Sequence, residues 1–188
     1  MAIIDTPIKG LKVIEPKVFG DHRGYFFESY NKELFQGNID VDFVQDNESF
    51  SSYGVLRGLH YQLPPHAQSK LVRVVQGEVL DVAVDIREGS NTYGEWFSIR
   101  LSAENKKQLF IPRGFAHGFV VLSETAIFVY KCDNYYSKES EGSIIYNDSK
   151  LNIDWEIPFE DMKLSEKDRL SNSFGTHQKY FEEFGKTK

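Results

Sequence analysis

The sequence predicts an all-β fold, an antiparallel sandwich or barrel with little helix. Three observations lead there. About ten short segments rich in β-branched and aromatic residues follow one another along the 188 residues. Glycine, proline, asparagine and serine punctuate them. Where side-chain polarity alternates, it does so with the period of two that belongs to a strand.

Taken in order, the strand-like segments are Leu11–Phe19, Gly24–Tyr30, Val41–Phe50, Gly54–Gln62, Lys70–Gln76, Glu78–Ile86, Glu95–Leu101, Gln108–Ile111, Ala116–Leu122 and Ala126–Lys131. Gly77, Gly89-Ser90-Asn91, Asn105, Pro112-Arg113-Gly114 and Ser123-Glu124 separate the later ones. Alternation is clear in Leu80, Val82, Val84 and Ile86, with Asp81, Ala83 and Asp85 on the opposite face, and it recurs in Phe97, Ile99 and Leu101. Helix is minor. Asn31 is placed to cap a turn over Lys32–Gln36 that Gly37 stops. Ser165 with Asp168 three residues on resembles a capping box, although its acid is Asp rather than Glu or Gln. Thr176 is placed to cap a helix over His177–Phe184 that ends at Gly185. With no linker or repeat dividing it, the chain reads as one β domain over residues 1–188, with a C-terminal helical tail over 164–188.

Composition narrows the function classes. Charged residues make up 27% and hydrophobic ones 40%, ordinary globular usage. The net charge of −6 lacks the broad basic field of a nucleic-acid binder, yet leaves room for a local basic pocket. Cys132 is the single cysteine, so no internal disulfide is available, which fits a reducing compartment. The first residues, with Asp5 and no apolar run, do not read as a signal peptide. No apolar stretch approaches the ~20 residues of a spanning helix. The expectation is a soluble cytoplasmic protein without membrane or nucleic-acid partners.

Few motifs carry chemistry. No P-loop, dinucleotide glycine loop or Gly-x-Ser-x-Gly elbow occurs. Cys132 alternates with Tyr130 and Phe128, and reads as a buried structural thiol rather than a nucleophile. His22, His66 and His177 fall in loops or the tail, where solvent is the default expectation. His60 and His117 lie within strand segments. Arg57, His60 and Gln62 fall within six residues, with Lys70 and Arg73 on the next strand. Strict alternation sends Arg57 and His60 to opposite faces, so both serve one site only if Gly58 permits a bulge. Pro112-Arg113-Gly114-Phe115-Ala116-His117 resembles the second half-motif of cupin barrels. The first half-motif wants two histidines one residue apart, and His60-Tyr61-Gln62 supplies one. A metal set of His60, His66 and His117 is therefore the losing reading, and no metal is expected.

An ordered set of segments is similar to one family. It comprises Glu15 through Asp21, Arg23 through Tyr30, Phe43 through Asn47, Leu56 through Gln62, Lys70 through Arg73 and Gly77 through Asp85, then Pro112 through Phe119, Tyr130-Lys131, Asn134 through Ser137, Glu141 through Ser143 and Leu164 through Asp168. Together they resemble the dTDP-4-dehydrorhamnose 3,5-epimerases over about residues 3 to 170. The resemblance implies a cupin jelly roll, a double-stranded β-helix with short C-terminal helices, working without cofactor. It implies epimerisation at C3 and C5 of dTDP-4-dehydro-6-deoxy-D-glucose through an enolate, in dTDP-L-rhamnose synthesis. That chemistry needs a base on one face of the sugar, an acid on the other and a cation at the enolate oxygen.

In the terms of that resemblance His60 is the base, Asp168 orients its imidazole, Tyr130 is the acid and Lys70 offsets the enolate charge. Arg23, Glu28, Gln45, Asp46, Asn47, Arg57, His117, Glu141 and Lys167 match substrate contacts, and Tyr136 matches an aromatic stacked on thymine. The family pairs as homodimers that exchange N-terminal strands, which would place residues 1–30 at the interface and Arg23 and Glu28 in the partner's site. Judged on spacing alone, other readings stay open. Asp168 fits equally the acid of the Ser165 cap, Arg23 a turn residue paired with Asp21, and Glu141 and Lys167 solvated charges. The rival functions are a single-site C3 or C5 epimerase, a metal-dependent cupin and a silent sugar-binding cupin.

Overall fold

The structure, a computed structural model, describes residues 1–180. Its strands are β1 (Ala2–Asp5), β2 (Lys12–Glu15), β3 (Phe19–Asp21), β4 (Gly24–Phe26), β5 (Gln45–Ser52), β6 (Leu56–Gln62), β7 (Lys70–Gln76), β8 (Glu78–Asp85), β9 (Trp96–Ser102), β10 (Gln108–Ile111), β11 (Phe115–Val121), β12 (Thr125–Cys132) and β13 (Glu141–Ser143). Two short helices, α1 (Lys32–Phe35) and α2 (Glu166–Arg169), accompany them. One sheet runs β1-β2-β10-β7-β12-β5, a second β13-β6-β11-β8-β9, and β3 and β4 form a separate hairpin. From β5 to β8 the chain changes sheet at every strand, and it does so again from β9 to β12. That crossing pattern, with antiparallel pairing throughout the sheets, is a jelly roll.

Between the sheets lies a core of Val72, Val74, Leu109, Phe128, Ala83, Leu101 and Phe119, all buried. Fully burying side chains of this size is worth roughly 1.5–3 kcal/mol each. The alternation of β8 resolves unusually. Leu80, Val82, Val84 and Ile86 pack outward, under Ile144, Tyr146, Trp155 and Tyr180 of the C-terminal segment. Asp81 and Asp85 lie on the other face and are fully buried as well. A buried acid needs partners. Asp85 accepts from Arg87, Ser90 and Thr92, and Asp81 from His117.

Helix α1 begins as expected, with the Asn31 side chain accepting the Glu33 amide at 3.1 Å. It packs Phe35 against Ile14, Leu71 and Phe110 on the outer face of the first sheet. Ser165 caps α2 by accepting the Asp168 amide at 3.1 Å.

Several expectations need correction. β1, β3 and β13 had no strand signal strong enough to read. The first long segment pairs over Lys12–Glu15, breaks at Pro16, and pairs again only at its last residue, Phe19, which opens β3. Over the described residues the helix expected from His177 does not form, while 181–184 and Gly185 lie outside them. Thr176 and His177 are in a turn and a bend, and Tyr180 bridges Arg87 in parallel. Burying Tyr180 in the second core outweighs the local capping preference. His177 is likewise not solvated: it is 3% exposed, stacked on Phe174 and edge-on to Tyr61.

Candidate active site

A cavity of about 620 Å³ opens between the two sheets. One wall is Arg57 and His60 of β6 with His117 and Phe119 of β11. The opposite wall is Asn47 and Ser49 of β5, Lys70 of β7, and Phe128 and Tyr130 of β12. Glu48, Val55, Leu56, Lys163 through Ser165, Lys167 and Asp168 complete the lining. A volume near 620 Å³ suits a ligand of nucleotide-sugar size more than a single ion.

The alternation problem at Arg57 and His60 is solved by a bulge. His117 pairs with His60 and Phe119 with Arg57, so two steps along β11 match three along β6. Gly58 sits at φ 139°, where other residues are strained. A Cβ there would lie 2.5 Å from the Gly118 Cα. The extra residue turns Arg57 and His60 to the same cavity.

His60 Nε2 lies 2.6 Å from Asp168 Oδ1. The Ser165 hydroxyl donates to Asp168 Oδ2 at 2.6 Å. Burial pushes the Asp168 carboxyl up, but the bonds from His60 and Ser165 outweigh it and hold the group below its ordinary 3.8. Asp168 is thus ionised at neutral pH. With Nε2–H donated to that carboxylate, Nδ1 is the nitrogen whose lone pair is available. The Asp168 amide is bonded by the cap serine and its carboxylate lies against His60, a geometry compatible with both the cap reading and the orienting one.

Across the cavity, burial pushes the Lys70 ammonium below its ordinary range, while Cys132, Asp81 and Glu141 pull it back up. Burial raises Tyr130, with Cys132 adding and Arg57 opposing, so the phenol keeps its proton at neutral pH. Lys70 Nζ lies 5.6 Å from the Tyr130 ring centroid. Burial likewise pushes the Cys132 thiol up to about 11, leaving it an inert neighbour, as its buried strand position suggests. Phe128 stacks on Phe119 at 4.2 Å and approaches His117 at 6.1 Å, an aromatic lining between the polar walls.

The remaining residues divide. Arg57 donates to the Ser51 hydroxyl at 3.3 Å and has no carboxylate partner among the described residues. Gln45 donates to Asn47, and Asn47 to the Cys132 sulfur. Lys167 pairs with Glu141, which also accepts from the Tyr136 hydroxyl at 3.2 Å. The Tyr136 ring stays 58% exposed. Asp46 alternates to the outer face of β5 and pairs with Lys131 at 2.8 Å, outside the cavity lining. Arg23 and Glu28 are not brought to this cavity either. Arg23 forks onto Asp21 in the exposed β3–β4 hairpin, and Glu28 accepts from Asn31.

His66 Nδ1 lies 2.9 Å from the Ser140 hydroxyl, and His66 is not brought together with His60 and His117. Among the described residues no three His, Cys, Asp or Glu side chains form a metal-binding group. Asp81, which does not line the cavity, pairs with His117, which does, and sequence reasoning did not single it out for that contact. Its signal was an acid on the inner face of an otherwise apolar strand, two strands from His60.

Comparison with known proteins agrees with this geometry. The family model for dTDP-4-dehydrorhamnose 3,5-epimerase matches residues 5–175. A dTDP-4-dehydrorhamnose 3,5-epimerase from Shigella flexneri is 57% identical over 176 residues, covering 93% of this chain and 96% of its own. The crystal structure of such an enzyme from Elizabethkingia anophelis superposes with a TM-score of 0.90 at 59% identity, covering 93% of this chain and 97% of its own. A 3,5-epimerase from Legionella pneumophila, solved with dTDP-4-keto-L-rhamnose, gives 0.89 at 53% identity and covers 93% of each chain. Family model, sequence identity and fold converge: the chain belongs to the dTDP-4-dehydrorhamnose 3,5-epimerase family.

Proposed function

We propose that this isomerase inverts C3 and C5 of dTDP-4-dehydro-6-deoxy-D-glucose, giving dTDP-4-dehydro-L-rhamnose for dTDP-L-rhamnose synthesis. One observation carries the reading: a carboxylate-paired histidine on one sheet faces a protonated tyrosine and a lysine on the other, across one cavity. Protons at C3 and C5 are acidic because each is α to the C4 ketone. His60 takes one as general base, and ionised Asp168 stabilises the imidazolium that results. The enolate oxygen develops charge, which the Lys70 ammonium offsets. Tyr130 returns a proton from the opposite wall, and the centre inverts. A positioned acid or base of this kind contributes ~10²–10⁴ in rate.

Arg57 and Lys167 supply the local positive charge that a diphosphate requires, Arg57 through its bidentate fork, and His117 lines the same cavity as a substrate contact. Gln45, Asp46, Asn47, Glu141 and Tyr136 serve the nucleoside, with Tyr136 stacking on the base. The working unit is a homodimer of one-domain cupin subunits. Residues 1–30 lie at its interface, and Arg23 and Glu28 of each subunit complete the partner's site. Their exposed setting, with Arg23 held by Asp21 and Glu28 by Asn31 away from this chain's cavity, supports that arrangement. The exposed Phe19, Tyr25 and Phe26 of the same hairpin support it too, as apolar surface awaiting cover. The enzyme works in the cytoplasm, without metal or organic cofactor; no helix among the described residues is long and apolar enough to cross a membrane.

The test is the His60→Ala variant. Turnover, followed by coupling to a reductase, is expected to fall by ~10²–10⁴. Affinity for dTDP by calorimetry is expected to stay within about threefold, since the imidazole is assigned to the sugar carbons. Wild-type turnover in this variant would remove His60 as the base.

A further inference from the structure

The Ser165 hydroxyl is used twice, and the second use is not that of a helix cap. It accepts the Asp168 amide at 3.1 Å, as an N-cap serine does with the third helical residue. It also donates its own proton to Asp168 Oδ2 at 2.6 Å. In a capping box the third helical residue is Glu or Gln, long enough to reach back to the cap's backbone amide. Aspartate is one methylene shorter. Its carboxylate stays at the cap hydroxyl with one oxygen and presents the other to His60 Nε2 at 2.6 Å. Each Asp168 oxygen therefore has a donor from a different element, and rotation about the Cβ–Cγ bond would break both bonds. The group is 4% exposed, so water offers little substitute. Ser165 itself lines the cavity.

We infer that Ser165 is a positioning residue of the epimerase reaction: its hydroxyl locks the Asp168 carboxylate in the rotamer that holds His60 as a base. The inference rests on the His60–Asp168 pair being the catalytic base, and the experiment separates the two. The chemistry is that of an ordered donor chain. Ser165 O–H and His60 Nε2–H both point at one anion, so the anion stays deprotonated and the imidazole keeps the tautomer with Nδ1 free. Removing the hydroxyl leaves Asp168 with the His60 and Gly58 backbone donors but without the one that fixes its second oxygen, and raises its affinity for a proton. Protonated Asp168 no longer stabilises the imidazolium, so the deficit grows as pH falls.

Four variants decide it, each assayed for kcat and KM against pH with thermal unfolding as a fold control. Ser165→Gly deletes the hydroxyl while glycine remains a good N-cap. Its kcat is expected to fall about tenfold, with KM within about twofold and the acid limb of kcat displaced about one pH unit towards neutral. Ser165→Thr keeps the donor and is expected to restore both kcat and the acid limb to within about threefold of wild type. Ser165→Cys, close in shape with a weak donor, should fall between them. Asp168→Ala reports on the underlying pair. If Asp168→Ala is inactive while Ser165→Gly keeps the wild-type kcat and acid limb, the positioning role is overturned and the base pair stands. A fall in kcat with an unmoved pH profile, not rescued by threonine, also overturns it, because the hydroxyl would then be only a cap. Wild-type turnover in Asp168→Ala would overturn the base pair itself, and the inference with it.

Discussion

At the level of single residues, the environment of each group assigns its task. His60 has an ionised carboxylate behind it, and that carboxylate is held below its ordinary range. Tyr130 has burial raising it above the usual phenol value. In the proposed reaction one group takes a proton and the other keeps one until it is needed. Tyr130→Phe is expected to leave C–H exchange with solvent running while inversion falls by ~10²-fold or more. Proton NMR of the sugar distinguishes exchange with retention from exchange with inversion, and undiminished inversion would remove Tyr130 as the acid. Lys70 gives a pH dependence. Its pKa lies below 10.5, so as pH rises through that lowered value the ammonium is lost and kcat falls. Tyr130 is shifted the other way and remains protonated there. An alkaline limb below pH 10.5 that moves up in Lys70→Arg, which stays charged, is the expected result. A limb unchanged by that substitution would assign it elsewhere.

Elements decide which residues meet. β6 and β11 approach so closely at Gly58 and Gly118 that a Cβ on either would meet the other's backbone within 2.8 Å. Gly58→Ala is expected to cost ~1–3 kcal/mol from backbone strain alone, with more from the clash. It is also expected to swing Arg57 out of the cavity and raise KM. Urea denaturation and steady-state kinetics check both, and wild-type stability would contradict the bulge. What was readable in the sequence follows the same division. Lys70–Gln76 and Gln108–Ile111 form strands with the bounds expected, because β-branched and apolar residues run up to clear turn signals. β13 was unreadable: Glu141-Gly142-Ser143 has no strand propensity. It pairs because Gly142 lies over the Tyr61 ring, where a Cβ would come within 2.4 Å. The bulge was legible as a requirement at Gly58, but its register with β11 is a long-range pairing that no local pattern encodes. Ser165 and Asp168 were legible as a cap from their spacing; that Asp168 also reaches His60, 108 residues away, no local pattern encodes, and only the family resemblance implied it.

At the scale of the whole molecule come the tail and the proposed partner subunit. Residues 144 to 180 cover the outer face of the second sheet, so β8 is buried on both sides and its alternation ceases to mean one wet face. His177 sits in that cover. Burial lowers its pKa from 6.5, opposed by Glu88 and Asp148 and assisted by Lys179, and its Nδ1 accepts from the Gly175 amide. A group with a depressed folded pKa contributes its full stability above the unfolded value and loses it as pH falls. Stability is therefore expected to decline from about pH 6.5 downward through His177, and again below about 3.8 as Asp168 and Asp85 take up protons. Urea midpoints of His177→Phe that are flat between about pH 7 and pH 5 would bear this out; an unchanged acid decline would refute it. The exchanged-strand dimer has its own test. Mixing His60→Ala subunits with Arg23→Ala subunits should regenerate activity that neither parent shows, since one site of each mixed dimer has both residues. Persistent inactivity of a verified mixed dimer would place Arg23 outside the partner's site.

The most direct measurement is proton NMR of the wild-type enzyme in D₂O with dTDP-4-keto-6-deoxyglucose and excess chelator. The expected result is deuterium at both C3 and C5, with a product that a reductase converts to dTDP-L-rhamnose, and neither event with His60→Ala. Deuterium at one carbon only, or exchange that persists without His60, would contradict a single base serving both centres; exchange that requires added divalent metal would contradict chemistry by side chains alone.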